Sequence, residues 1–136
     1  MVNFQKQQDV GLMILRVSVS LLILLHGIGN MASGYAFIKD VLSSMGLPSF
    51  LAYGVFVGEI VAPILIIAGY RARLSAAVLA FNMLAAIFMV HAGEIFALNQ
   101  FGGWAIELQG LYFLGALSIL FAGPGKFAVS TNHPLD

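Results

Sequence analysis

The stretch LMILRVSVSLLILLHG, Leu12–Gly27, holds two serines, an arginine and a histidine among residues that are otherwise apolar or glycine. With its flanks it reaches the roughly 20 residues that an α-helix needs to cross the hydrocarbon core of a bilayer. It is longer than the roughly 7 to 15 apolar residues of a secretory signal, and no small-residue cleavage site follows, so it reads as a retained transmembrane helix. An arginine at the centre of such a span costs at least about 2.5 kcal/mol and is expected to face the bundle interior with a partner. Arg16 therefore asks for a carboxylate at its own depth.

The composition supports the membrane reading. Hydrophobic residues make up 60% of the 136 and charged ones 9%, with a mean hydropathy of +0.97, whereas about a quarter of a soluble domain is charged. The length allows one integral membrane domain, 1–136. The formal charge is zero and the six basic residues are scattered, which excludes the basic patch that nucleic acid requires. With no cysteine, disulfides, thiolate metal sites and cysteine redox chemistry are excluded.

Four runs reach spanning length, at about 10–29, 50–69, 72–92 and 104–122, and predict an all-α bundle of four transmembrane helices. Between the first two lies NMASGYAFIKDVLSSMGLPS, in which Tyr35, Phe37, Ile38, Val41 and Leu42 recur at helical spacing; a short interfacial helix is expected there. GYRAR, residues 69–73, leaves room only for a tight hairpin. Lys6, Arg71, Arg73 and Lys126 fall on one side of this topology and Lys39 on the other, which places both termini in the cytoplasm by the positive-inside rule. The expected location is the cytoplasmic (inner) membrane. Spans one and three both close on histidine followed by glycine within two residues, and spans two and four both carry an early glutamate, a weak internal echo.

Counting depth at about 1.5 Å per residue from the span ends puts Glu59 about 13 Å below the outer end of span two and Arg16 about 15 Å below His26. Arg16 and Glu59 are thus expected to form a buried ion pair near the midplane, with Asn82 at the same level. His26, His91 and Glu107, with Gln109, form a shallower polar group opening outward. Gly54 and Gly58 make a small-xxx-small face on span two, and Pro63 bends the helix beside Glu59. Neutral imidazoles with carboxylates suit either a first-row metal or proton exchange with a quinol. One objection stands: at about 100° per residue Asn82 and His91 are about 180° apart and cannot both face a straight pore.

These residues assemble into a recognisable order. LRV and HG in span one, GLP before span two, VGEI within it, the GYRAR turn, VH closing span three, GGW before span four and a final GPGKF together resemble the DoxX family of small four-helix membrane proteins over about residues 9–127. The resemblance implies that Arg16, His26, Glu59, His91 and Glu107 are the family's polar positions. The family takes its name from the membrane component of a thiosulfate:quinone oxidoreductase, with other relatives linked to catechol and quinone resistance, oxidative stress and copper-binding modified peptides. It thus implies quinone-linked redox or oxidative-stress chemistry, with His26, Glu59, His91 and Glu107 as catalytic candidates and Arg16, Asn82, Gln109 and Trp104 as substrate contacts. The partners implied are the bilayer, a quinone, a soluble redox partner and, in a homo-oligomer, further copies of the chain. No covalent haem, flavin or iron–sulfur motif is present, so electrons would pass directly between quinone and a second protein or metal. Whether the chain is an enzyme subunit or a non-enzymatic module (a small-solute or metal pathway, or an anchor for soluble partners) stays open at this level. The tail AVSTNHPLD, with His133, is expected to be mobile.

Overall fold

Asn3 starts the first helix by accepting a hydrogen bond from the Lys6 backbone N–H at 3.1 Å, satisfying a donor that the helix end leaves unpaired. The polar turn that follows, Gln5–Gln8, consists of good helix formers. Together they extend α1 to Phe4–Ala32, beyond both limits of the expected span, in the computed structural model, which describes residues 3–136. Gly34 and Tyr35, both with left-handed φ, then turn the chain into the expected interfacial helix α2 (Ala36–Ser44).

The second span, α3 (Ser49–Ala68), is irregular. It opens with a 3-10 turn over Ser49–Tyr53 and widens into a π turn over Val57–Val61. Pro63 has no N–H to return to the Glu59 carbonyl, so the ladder must break here, and Ala62 bonds back to Val57 instead. Gly69, at φ 72°, ends the helix and α4 (Ala72–Val90) returns antiparallel. The fourth apolar helix, α5 (Glu107–Ala122), starts later than expected. The Asn99 side chain, accepting from the N–H groups of Phe101 and Gly103, and a bridge between Leu98 and Trp104 hold the intervening residues in a loop. Among the described residues three helices, α1, α3 and α4, are long and apolar enough to cross a membrane, and α5 is a shorter apolar one.

Each helix packs on its neighbours in the ring α1–α3–α4–α5, while the diagonals scarcely touch: an up-and-down four-helix bundle. Ile23, Ile66, Leu79, Met83 and Ile119 fill the centre, and Ala62, Ala76, Ala80 and Ala116 bring the backbones close. Ile14, Leu25, Phe81, Leu111 and Phe121 remain exposed on the outside, as a lipid solvent requires.

Arg16 does not pair with Glu59. Gly27 of α1 abuts the Glu59 backbone and Asn30, one turn further on, reaches its carboxylate, so Glu59 lies toward the far end of α1, about 16 Å from Arg16 along the helix. Counting from the span ends failed because the ends are not flush: the first turn of α3 stands beyond α1 and packs on α2. Arg16, 3% exposed, instead donates to the carbonyls of Ile66 (3.0 Å), Ile67 and Phe127. The first two belong to the last turn of α3, where the Ile66 carbonyl has only the cap N–H of Gly69 besides Arg16 and where the negative end of the helix dipole lies. Arg73 does the same for α5, donating to Leu120 and Phe121 at 2.8 and 2.7 Å. A greasy helix tolerates Arg16 because the guanidinium closes the end of its neighbour.

The tail is docked rather than mobile. Val129 and Ser130 donate to the carbonyls of Ala68 and Gly69, and the Leu135 carbonyl accepts from the N–H groups of Arg73 and Leu74. The Asp136 carboxylate accepts from the side chain of Arg71 at 2.9 Å and its N–H at 3.2 Å, and from Ser130 and the His133 N–H. Since α4 has no side-chain cap of its own, the tail supplies the acceptors its first turn needs. Burial favours the neutral acid, but the hydrogen bonds from Ser130, His133 and Arg71 outweigh it and hold Asp136 well below the usual carboxylate range.

Candidate functional site

Three helices bring amides and a carboxylate together at the end of the bundle away from the hairpin. Glu59 leaves α3 from the π turn, a distortion found often at functional sites, and is 7% exposed. One carboxylate oxygen accepts from the Asn30 amide of α1 at 2.7 Å and the other from the Asn82 amide of α4 at 3.2 Å. Two glycines permit this approach. A Cβ on Gly27 would lie 2.4 Å from the Glu59 carbonyl oxygen, and one on Gly58 would lie 2.6 Å from the Asn82 side chain. Gly54, the other member of the small-xxx-small pair, faces open space. Only half of that face is used within the chain.

Beside the carboxylate lies a cavity of about 300 Å³. Its polar lining is His26, Asn30, Glu59, Asn82 and His91; Phe37, Ile38 and Val41 of α2 form an apolar roof, and Val55 and Met89 add to the walls. His26 is exposed and stands edge-on to Tyr112, with ring centroids 5.9 Å apart. His91 shares the cavity with Asn82 despite the angular objection, because α4 ends at Val90 and His91, at φ −116°, has left the helical wheel. Its Nδ1 meets the Glu94 carboxylate and its Nε2 lies 3.2 Å from the Gln109 amide nitrogen. That pairing selects the tautomer with the proton on Nδ1, donating to Glu94 while Nε2 accepts from Gln109.

Four of the eight residues singled out from the sequence, His26, Glu59, Asn82 and His91, therefore share one cavity. Gln109 touches it through His91. Arg16 lies at the opposite end of the bundle. Glu107 is exposed at the start of α5, beside Gly103 and Asn99, and Trp104 donates to the Ile95 carbonyl at 2.7 Å while its ring covers Gly110; neither lines the cavity. Asn30 was missed, although it stands four residues after His26 and hence on the same helical face; the signal was hidden because α1 was expected to end before it. Among the described residues no three His, Asp or Glu side chains converge as metal ligands.

The sequence profile of the DoxX family matches residues 11–92, the stretch that carries all five polar residues of the cavity. An uncharacterized protein of Haemophilus influenzae is 33% identical over 133 residues, covering 96% of both chains. The inner membrane protein YqjF of Escherichia coli is 25% identical over 126 residues, 92% of this chain and 93% of its own. No solved structure matches the chain.

Proposed function

Because the chain belongs to the DoxX family of integral membrane proteins, we propose that it binds a quinol- or catechol-type ring in the cavity beneath α2 and serves quinone-linked redox chemistry. The observation that carries this reading is Glu59, a buried carboxylate fixed by two amides and turned to a cavity whose roof is apolar. An ionised carboxylate has about four acceptor sites, of which Asn30 and Asn82 occupy two. A phenolic O–H supplies a further donor, and the ring buries its faces against Phe37, Val41 and Met89. In quinol oxidation the ring would give two electrons to an acceptor on a redox partner protein and two protons to groups on this chain, with Glu59 the first acceptor and His26 exchanging with the outside. His91 orients the wall, since both its ring nitrogens are engaged. The basic hairpin end faces the cytoplasm on the positive-inside rule, so the cavity and its protons face outward.

The test is binding of a tail-less benzoquinol to the purified protein in detergent. A hydrogen bond to a charged group contributes about 1.5–3 kcal/mol, so Glu59→Leu should weaken binding by about 10- to 150-fold, with Asn30→Leu and Asn82→Leu showing smaller losses. Unchanged affinity in Glu59→Leu overturns the reading. Tight binding without quinol turnover in membranes that contain the redox partners leaves a non-enzymatic ring-binding module.

A further inference from the structure

The cavity under α2 is one of three that adjoin. His26 and Asn30 also line a second opening on the α1/α5 side, completed by Leu22, Leu25, Gly29 and Tyr112. Leu22 and Tyr112 in turn line a groove that follows the α1/α5 seam past Val19 and Gly115 to Ser18 and Ser118. The three volumes, about 300, 400 and 410 Å³, form a chain in which each shares side chains with the next. The two ends differ in polarity. The first holds the carboxylate and the amides, and the last holds, besides the Tyr112 ring it shares, two serines whose hydroxyls are spent on carbonyls of their own helices. His26 sits at the junction on a helix face where Leu22 and Leu25 are 50% and 61% exposed, an imidazole set into a lipid-facing surface. From the aqueous side the cavity is roofed by the apolar face of α2.

We infer that the ligand enters sideways from the bilayer between α1 and α5, and that it carries a lipid-soluble chain that lies in the α1/α5 groove while its ring rests against Glu59. This rests on the ring-binding reading and adds the route and the amphipathic form of the ligand. The contrast between a polar end at Glu59 and an apolar end in the α1/α5 groove matches such a molecule, and the two openings on the α1 side give it a continuous path. His26 and Tyr112 stand at the bend of that path. Leu22, Gly29 and Ser18 are then specificity-determining positions for the chain, without contact with the ring.

Gly29 suits an obstruction, because it lines the opening and a Cβ there meets nothing within 4 Å; Gly29→Phe places a ring in the opening. Ser18 is exposed, so Ser18→Phe fills the far groove in the same way. The probes are 2,3-dimethoxy-5-methyl-benzoquinone and its decyl-chain derivative, titrated into the whole protein in lipid nanodiscs. Both variants should weaken the decyl probe by about tenfold or more, as for a group forced into filled space, and leave the tail-less probe unchanged. A decyl probe indifferent to both variants overturns the lateral route, as does an equal loss for both probes. Wild-type protein that binds the tail-less probe but excludes the decyl one also overturns the route while the ring reading stands. If neither probe binds wild-type protein, the ring reading itself falls.

Discussion

Two glycines on the same helix, two residues apart, should respond to one substitution in opposite ways. At Gly29 an added Cβ enters open space, so Gly29→Ala gains the helix propensity difference, about 0.8–1 kcal/mol. At Gly27 the same methyl would lie 2.4 Å from the carbonyl oxygen of Glu59 and 2.8 Å from its carbonyl carbon. Both are backbone atoms, so no rotamer change relieves the clash. The helices α1 and α3 must part by about 1 Å to restore ordinary contact. That separation stretches the 2.7 Å hydrogen bond from Asn30 to Glu59 past useful length. Overpacking costs about 1–3 kcal/mol and a lost bond to a carboxylate about 1.5–3 kcal/mol; against the gain in propensity, Gly27→Ala should be destabilised by roughly 1.5–5 kcal/mol and Gly29→Ala slightly stabilised. Denaturant unfolding in mild detergent, followed by circular dichroism, measures both. The ring probe adds a second readout, since Gly27→Ala should lose binding and Gly29→Ala keep it. If Gly27→Ala unfolds at the same midpoint as Gly29→Ala, the close crossing of α1 over Glu59 is wrong, and the level assigned to Glu59 goes with it.

Arg16→Leu and Glu59→Leu should destabilise additively, because sites more than about 10 Å apart without shared partners add within about 0.5 kcal/mol; a double variant milder than the sum in unfolding experiments would restore the ion pair. Arg16→Leu should also raise amide hydrogen exchange at the end of α3 and in the tail, where its carbonyl partners lie. Asp136 has a folded pKa below its ordinary value of 3.8, so its contribution is complete above that value and fades only as pH falls below it. Limited proteolysis of the tail should therefore be flat from about pH 5 to 8, whereas Asp136→Asn should expose Val129–Leu135 at all those values. For orientation, Asp40→Cys should label from outside the cell and Lys126→Cys only after permeabilisation; the reverse pattern overturns the positive-inside assignment.

Hydropathy and the chemistry of the bilayer carried the sequence a long way. Four apolar runs can be satisfied in lipid only as helices, because every backbone N–H and C=O must find its partner within the segment. The short GYRAR link dictates an antiparallel hairpin, the spacing of Phe37, Ile38 and Val41 dictates an amphipathic helix, and the rarity of charge inside a span marked Glu59 and Arg16 as residues with a task. The order of short motifs pointed to the DoxX family, which the profile match shows.

What only the tertiary structure decided is which polar group meets which. A one-dimensional count assumes that helix ends are flush and that helices stop where hydrophobicity does. Here Asn3 lengthens α1 at one end, and at the other the helix runs past the expected limit to include Asn30; the first turn of α3 climbs past α1 onto α2, and Glu59 shifts from the level of Arg16 to that of Asn30. His91 joined Asn82 because the helix ends at Val90, short of the expected 92. The partners of Arg16 are carbonyls, which every residue carries and no sequence pattern distinguishes; only the packing of the end of α3 and of the tail against α1 brings those of Ile66, Ile67 and Phe127 to a buried guanidinium. Composition and periodicity thus chose the solvent and the elements, while the meeting of helix ends, a property of packing alone, built the site.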